Sequence, residues 1–317
     1  MQRFLLLILL LFSAPVRADS LYDVPKYAAI LINAESGEVL YARRADEQRF
    51  PASITKVMSL YLAFEDLKAG RIKETDEIRI SRHAASQPPT KLGLRAGETI
   101  TVADAIGVMA VRSANDISVA LAEHLAGSEA KFAARMNATA KRLGMTATHF
   151  VNPHGLPNKD HVTTARDLVQ LSRAMIRDFP TRYGIFAQPE FQYRDQIIKG
   201  HNYLLKVPGV DGIKTGFTNA SGFTLAASAV HDGVRLIAIV LGSPTRIKRD
   251  DNMTELLDTG FKVLTRRSRG EMVTVAANFA EPDDLSDAMM DRLATLGPAS
   301  GGLVLPKAPQ MIANSAN

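Results

Sequence analysis

The apolar positions of this chain fall into two textures, short near-continuous runs toward both ends and helix-spaced runs between them. Lys26 to Asn33 and Glu38 to Ala42 read as short strands separated by Ala34-Glu35-Ser36-Gly37, the outline of a hairpin. The run Val57-Met58-Ser59-Leu60-Tyr61-Leu62-Ala63-Phe64 predicts a buried helix, with Pro51 near its first turn and Gly70 just past its end. Val102 to Val111 predicts a helix that begins near Thr101 and ends at Arg112-Ser113-Ala114-Asn115. Further helical patterns run from Asp116 to Gly127, from Glu129 to Leu143 and from Thr164 to Phe179, the last with Pro180 as its stop.

The texture then changes. Gly209 to Gly216 leads into Phe223 to Val230, a His231-Asp232-Gly233 turn and Val234 to Leu241, where Asp-Gly between two apolar runs signals a hairpin. A last helix, Asp250 to Thr265, is expected to pack back on that sheet. Strands at both ends with helices between predict an α+β fold: an antiparallel sheet built from both chain ends and packed by helices, plus an all-helical lobe from the middle. From Glu271 the composition turns to Ala, Pro, Gly, Ser and Asp, so residues 271–317 read as a loosely ordered tail with one short helix near Leu285 to Leu296.

The beginning of the chain stands outside this pattern. Met1-Gln2-Arg3 is basic, Phe4 to Phe12 is uninterruptedly apolar, and Val16-Arg17-Ala18 supplies small residues before Asp19. That is the layout of a signal peptide, residues 1–18, cleaved after Ala18, and it predicts an exported, periplasmic protein. The apolar run is too short for a permanent span. The tail helix carries Asp287 and Asp291 among its apolar residues, a poor match to a basic anchoring face, so no strong membrane anchor is expected.

Composition narrows the chemistry. The chain has 317 residues, 46% of them hydrophobic, and no cysteine, which excludes thiol nucleophiles, disulfides and thiolate metal sites. Formal charge is +5, two of the cations lying in the leader, and no clustered basic stripe suggests nucleic acid. Residues 19–270 are long enough for one large catalytic domain.

Ser53-Ile54-Thr55-Lys56 places a hydroxyl and an amine one turn apart at the start of the buried helix, where a neutral amine can take the serine proton as attack begins. The motif also has a plain reading as helix-start chemistry. Ser128-Glu129-Ala130-Lys131 repeats it just after Gly127, where Ser128 reads as a helix cap. Ser113-Ala114-Asn115 recurs too, as Ser315-Ala316-Asn317. What singles out Ser53 is the ordered set of Ser53-x-x-Lys56, Ser113-x-Asn115 and Lys214-Thr215-Gly216: a helix start, an inter-helix loop and a hairpin.

With those motifs the chain resembles the D-alanyl-D-alanine carboxypeptidases among the low-molecular-mass penicillin-binding proteins, from about Tyr27 to Leu264. Pro51-Ala52 before Ser53, Asp116 after Asn115, His149-Phe150, His154-Gly155-Leu156, Thr164-Ala165-Arg166-Asp167 and Asp211 to Thr218 extend the likeness. The resemblance implies a β-lactamase/transpeptidase-like fold and a serine enzyme that trims peptidoglycan stem peptides through an acyl-serine, uses no cofactor or metal, and is trapped by β-lactams. It implies Ser53 as nucleophile, Lys56 as base and Ser113 as proton relay. Asn115, Lys214, Thr215, Gly216, Phe217 and Arg249 become substrate-binding residues, with the oxyanion between the N–H groups of Ser53 and Phe217. Arg249 is chosen over Arg246 and Lys248 by its offset alone. Phe217 stands where some relatives have histidine, so a pH dependence due to that histidine is not expected.

Four rival readings stay open on sequence. A class A β-lactamase needs a deacylating glutamate, and Glu123, Glu129 and Glu190 lack its Glu-x-x-Leu-Asn setting. A zinc peptidase would use His154, Asp160 and His161, which also read as a polar loop. A D,D-endopeptidase cutting cross-links shares every catalytic group, and a peptidoglycan-binding module that had lost turnover would share the fold.

Overall fold

The computed structural model describes residues 26–282. The first hairpin pairs β1 (Ala28–Asn33) with β2 (Val39–Arg43), and a 3-10 turn, Ala52–Ile54, runs directly into α1 (Thr55–Lys68). Then follow β3 (Glu77–Arg79), α2 (Arg82–Ala85), β4 (Thr99–Thr101), α3 (Val102–Val111), α4 (Asn115–Ala126), α5 (Glu129–Arg142), α6 (Ala165–Asp178) and α7 (Pro180–Tyr183). The small hairpin β5 (Glu190–Tyr193) and β6 (Gln196–Lys199) precedes β7 (Val210–Thr218), β8 (Gly222–His231), β9 (Val234–Ser243) and α8 (Arg246–Ser268).

The main sheet is antiparallel, in the order β2-β1-β9-β8-β7, so the two chain ends meet where β1 pairs with β9, from Ala28 opposite Leu241 to Asn33 opposite Leu236. Its central strands are apolar on both faces because each face has its own cover. Ala28, Ile30 and Ile32 with Ile237, Ile239 and Leu241 point into a core shared with α1, α3, α4 and α6. Alternate residues Ala29 and Leu31 with Leu236, Ala238 and Val240 meet Met253, Leu256, Leu257 and Val263 of α8. The period-two geometry of a strand divides one apolar run between two cores. The α+β architecture read from sequence is therefore present, with the helical lobe on one face and α8 on the other.

Several boundaries differ from the sequence pattern. Lys214-Thr215-Gly216 does not merely enter a hairpin; it lies inside β7, the edge strand, whose glycines and polar residues hide its extended character. α6 ends at Asp178, with Phe179 outside helical geometry, as the Pro180 stop predicts; Pro180 then also opens α7, a position that tolerates a missing N–H. α8 begins at Arg246, capped by the Thr245 hydroxyl accepting from the Lys248 N–H, which puts Arg249 in its first turn. The two-stranded sheets β3–β4 and β5–β6 are three and four residues per strand and left no legible alternation.

Residues 271–282 do not hang free. Val275 and Phe279 are buried against the outer face of the sheet, and Phe279 meets Tyr41 edge-on at 5.1 Å. Glu281 accepts from the Tyr41 hydroxyl at 2.6 Å and pairs with Arg43 at 2.9 Å. Four-residue spacing of two apolar side chains suffices to fasten a segment whose composition is otherwise that of a tail. The leader, the short helix expected near Leu285 to Leu296 and Ser315-Ala316-Asn317 lie outside the described residues. If residues 271–282 belong to the folded unit, Phe279→Ala lowers the unfolding free energy by about 2–4 kcal/mol; an unchanged urea midpoint would detach this segment from the fold.

Candidate active site

The site is assembled around the first turn of α1. Ala52 sits at φ +48°, a strained conformation for a residue with a side chain, and this sharp entry turns Ser53 out of the core while Lys56 points in. The loop 152–155 lies across the same turn. Ser59 donates to the Pro153 carbonyl at 2.7 Å, and Thr55 bonds His161 at 2.9 Å. Gly155, at φ +85°, lies so close that a methyl group there would fall 1.8 Å from the Ala52 carbonyl oxygen, so only glycine fits.

Lys56 has no exposed surface, and its amine has three neighbours: Ser53 Oγ at 2.9 Å, Asn115 Oδ1 at 2.8 Å and the His154 carbonyl at 2.8 Å. Asn115 Nδ2 donates to the Pro88 carbonyl at 3.0 Å, which settles which end of its amide faces the lysine. Two of the three neighbours are therefore pure acceptors. A neutral amine gives both its N–H bonds to them and turns its lone pair to Ser53, whose hydroxyl then donates. Burial depresses the Lys56 pKa well below the ordinary lysine value, and the positive charge of Lys214 adds to the effect, against a smaller opposing pull from Asp116. The same three contacts can also accept an ammonium, so the group can take a proton without rearranging.

Asp116 anchors the adjoining loop, its two carboxylate oxygens accepting from the Leu92 and Gly93 N–H groups at 3.0 and 2.8 Å. The Asn115 N–H donates to the Thr90 carbonyl at 2.7 Å. Between α3 and α4, Ser113 takes φ +66°, and its buried hydroxyl has no hydrogen-bond partner among the described residues. A buried hydroxyl left unpaired is costly, and beside a nucleophile it is a group held ready for a ligand.

Strand β7 closes the other side. A methyl at Gly216 would lie 2.9 Å from the Ser53 nitrogen, so the missing side chain lets the strand edge approach the nucleophile. Lys214 is buried, with its amine 3.1 Å from the Thr215 carbonyl, and its pKa is lowered to about 7, first by burial and then by Arg249. Arg249 is also buried, at 3% exposure; its Nε and Nη2 donate to Asp250 at 2.9 and 2.6 Å, and its Nη1 reaches the Thr224 carbonyl at 3.5 Å. A cleft of about 470 Å³ contains Ser53, Ser113, Thr215, Gly216, Phe217 and Arg249. Phe217, half exposed, is stacked on Phe223 at 4.3 Å.

All nine residues singled out in the sequence thus converge on one cleft or its immediate backing. Arg246 lines it too, but is exposed and pairs with Asp250, whereas Arg249 is buried beside Lys214. The second Ser-x-x-Lys is helix chemistry, since the Ser128 hydroxyl accepts from the Lys131 N–H at 3.2 Å. His154 and His161 spend ring nitrogens on the loop itself, accepting from the N–H groups of Leu156 and Val151. Three contributors escaped the sequence reading: the His154 carbonyl, the Asp116 carboxylate and His201, which lines the cleft. A backbone carbonyl leaves no residue-type signal. Asp116 at a helix start and a lone histidine in a loop both have ordinary explanations.

Among proteins of known family, a D-alanyl-D-alanine carboxypeptidase model matches residues 15–245. The D-alanyl-D-alanine carboxypeptidase DacC of Escherichia coli (strain K12) is 39% identical over 248 residues, 76% of this chain and 62% of that protein. Penicillin binding protein 5 from Haemophilus influenzae superposes with a TM-score of 0.72 at 35% identity, covering 75% of this chain and 71% of the other. Penicillin-binding protein D2 from Listeria monocytogenes, solved in the cefotaxime-bound form, gives 0.69 at 33% identity, covering 74% and 96%. The chain spans about three-fifths of the length of the curated relatives it matches.

The buried cations make stability depend on pH in a defined sense. Below about 7 Lys214 is charged in both folded and unfolded chains, and the folded state bears the whole cost of burying that charge. The cost is relieved as pH rises from about 7 toward the ordinary 10.5, because there the unfolded chain holds a proton the folded chain has released. Lys214→Met is therefore expected to raise the unfolding free energy by roughly 1–4 kcal/mol below neutrality, the gain shrinking as pH climbs. Urea titrations at several pH values check this; a pH-independent difference would place its origin in packing rather than charge.

Proposed function

The chain belongs to the D-alanyl-D-alanine carboxypeptidase family, and from that premise we propose that it is an exported serine D-Ala-D-Ala carboxypeptidase acting on peptidoglycan stem peptides. The observation that carries the reading is the Lys56 amine, fully buried, its pKa held well below the ordinary lysine value by burial and by the charge of Lys214, and 2.9 Å from the Ser53 hydroxyl.

In this mechanism Ser53 Oγ attacks the carbonyl carbon between two D-alanines while its proton passes to Lys56. The N–H groups of Ser53 and Phe217 hold the tetrahedral oxyanion, a donor of this kind being worth about 3 kcal/mol. As the C–N bond breaks, the proton moves from Lys56 through the otherwise unpaired Ser113 hydroxyl to the leaving amine, and D-alanine departs. Water then hydrolyses the acyl-serine with Lys56 again as base. Asn115 fixes the Lys56 amine and its approach to the substrate amide. Lys214, Thr215 and Arg249 bind the terminal carboxylate; Asp250 holds the Arg249 fork in place and leaves Nη1 on the strand side.

A β-lactam would acylate the same serine, but its leaving nitrogen stays tethered after ring opening and blocks the deacylating water. The cefotaxime-bound relative supports this part of the reading. Export rests on the leader pattern of residues 1–18 and on the family; among the described residues no helix is long and apolar enough to cross a membrane.

Ser53→Ala is expected to abolish covalent labelling by a fluorescent penicillin and to reduce D-alanine release from an acyl-D-Ala-D-Ala peptide by at least about a thousandfold. Retained labelling would refute Ser53 as nucleophile. Arg249→Gln is expected to lower kcat/KM for the same peptide about 10–100-fold, the worth of one charge-assisted hydrogen bond, while labelling persists. An unchanged kcat/KM would remove Arg249 from carboxylate binding.

A further inference from the structure

In the second Ser-x-x-Lys, Ser128 caps α5 through the Lys131 N–H, and the residue after it, Glu129, carries contacts that capping does not explain. One Glu129 carboxylate oxygen lies 2.7 Å from Nε2 of His83 in α2, and the other lies 3.6 Å from Nε2 of His154. These side chains are 53% exposed at His83, 24% at Glu129 and 6% at His154, so the contacts run from the surface inward. They end at the general base, because the His154 backbone carbonyl accepts from the Lys56 amine at 2.8 Å.

Hydrogen bonding fixes what each group offers. The Leu156 N–H donates to His154 Nδ1, so the ring proton sits on Nε2 and faces Glu129. Burial, with the charge of Lys56 second, lowers the His154 pKa to about 2, so a neutral imidazole meets the carboxylate here. A carboxylate only accepts, and His83 therefore also presents a proton on Nε2. The two histidines belong to the two segments that hold Lys56. The loop 152–155 supplies the His154 carbonyl. The chain after α2 supplies the Pro88 and Thr90 carbonyls, which accept from the side-chain and main-chain N–H groups of Asn115 and so present Asn115 Oδ1 to the same amine. His83 is tied into that chain, its carbonyl accepting from Ser86 Oγ at 2.8 Å and Gln87 Nε2 at 3.3 Å. The two pure acceptors of the Lys56 amine thus come from two walls of the site, and Glu129 touches both walls.

We propose that Glu129 is a positioning residue for the general base: its carboxylate clasps α2 to the loop 152–155 and so sets the spacing of the two acceptors that keep the Lys56 lone pair on Ser53. Glu129 does not line the cleft and touches no reacting atom. The charges that act on Lys56 are those of Lys214 and Asp116, so Glu129 works through geometry. The inference rests on the serine peptidase reading, in which Lys56 takes the Ser53 proton. Loss of the clasp slows that transfer and leaves ligand binding as it was, since a small displacement of a base is costly to the chemical step alone.

The test follows a fluorescent penicillin reacting with the chain lacking its leader, and separates the affinity of the reversible complex from the first-order rate of acylation. Glu129→Ala is expected to slow acylation about tenfold with that affinity unchanged. Glu129→Gln should restore most of the rate, because its amide oxygen accepts from His154 and its amide nitrogen donates to the other tautomer of His83. His83→Ala, at an exposed position, should slow acylation about threefold and add nothing further in the Glu129→Ala background. Met136→Val, which loosens the core behind the same helix, should lower the urea midpoint and leave the acylation rate as it was. An unchanged rate in folded Glu129→Ala, a Gln variant as slow as the Ala variant, or losses at His83 and Glu129 that simply add would each overturn the inference. So would an equal slowing by Met136→Val, which would make the defect one of stability. If Glu129→Ala does not fold, His83→Ala decides, and a wild-type rate there sinks the clasp while the peptidase reading stands. A wild-type chain that takes no label overturns both.

Discussion

The structure depends on keeping one lysine amine out of water. Lys56 is placed where solvation cannot stabilise its charge, beside a second buried cation, and is given contacts that suit the neutral form. Two pure acceptors consume the N–H bonds and leave the lone pair for Ser53. The arrangement also fits the ammonium, which matters because a base must hold its proton briefly and return it. Little of the site has to move for either state.

Such a site is expensive for the fold. Ala52 and Ser113 occupy left-handed backbone conformations, the Ser113 hydroxyl has no partner among the described residues, and two lysines and an arginine lie buried together with Asp250 and Asp116 as their acidic company. The compensation is rigid packing around it. α1 is apolar on nearly every side, between α3, α4 and α6, and the loop 152–155 is pinned to its first turn by side-chain hydrogen bonds. On the opposite face α8 and residues 271–282 close a second core, so the sheet whose edge strand β7 forms one wall of the cleft is fixed from both sides.

Electrostatics then divides the cleft by task. Near Ser53 the relevant charge is suppressed, so that proton transfer is easy. Around Lys214 and Arg249, cationic groups back a cleft that no acidic side chain lines, which suits an anionic ligand. Asp250 is the exception that proves useful: it holds the Arg249 guanidinium by one edge and orients the other.

What was legible in the sequence was whatever depends on local spacing. Ser53 and Lys56 are one turn apart because helix geometry makes them so, the hairpins at the two chain ends follow from short apolar runs around tight turns, and Ser128 caps a helix as its neighbours indicate. The absence of cysteine and the order of three short motifs narrowed the chemistry further. Strand β7 stayed hidden because its polar and glycine residues serve the cleft instead of a core, and the anchoring of Val275 and Phe279 stayed hidden because burial of two side chains outweighs the composition around them. Only the tertiary structure brought Asn115, the His154 carbonyl and Lys214 to the Lys56 amine. Those relations join residues some 60 to 160 positions apart, where no periodicity operates, and the desolvation and charge proximity that create the base exist only once the chain has folded around them.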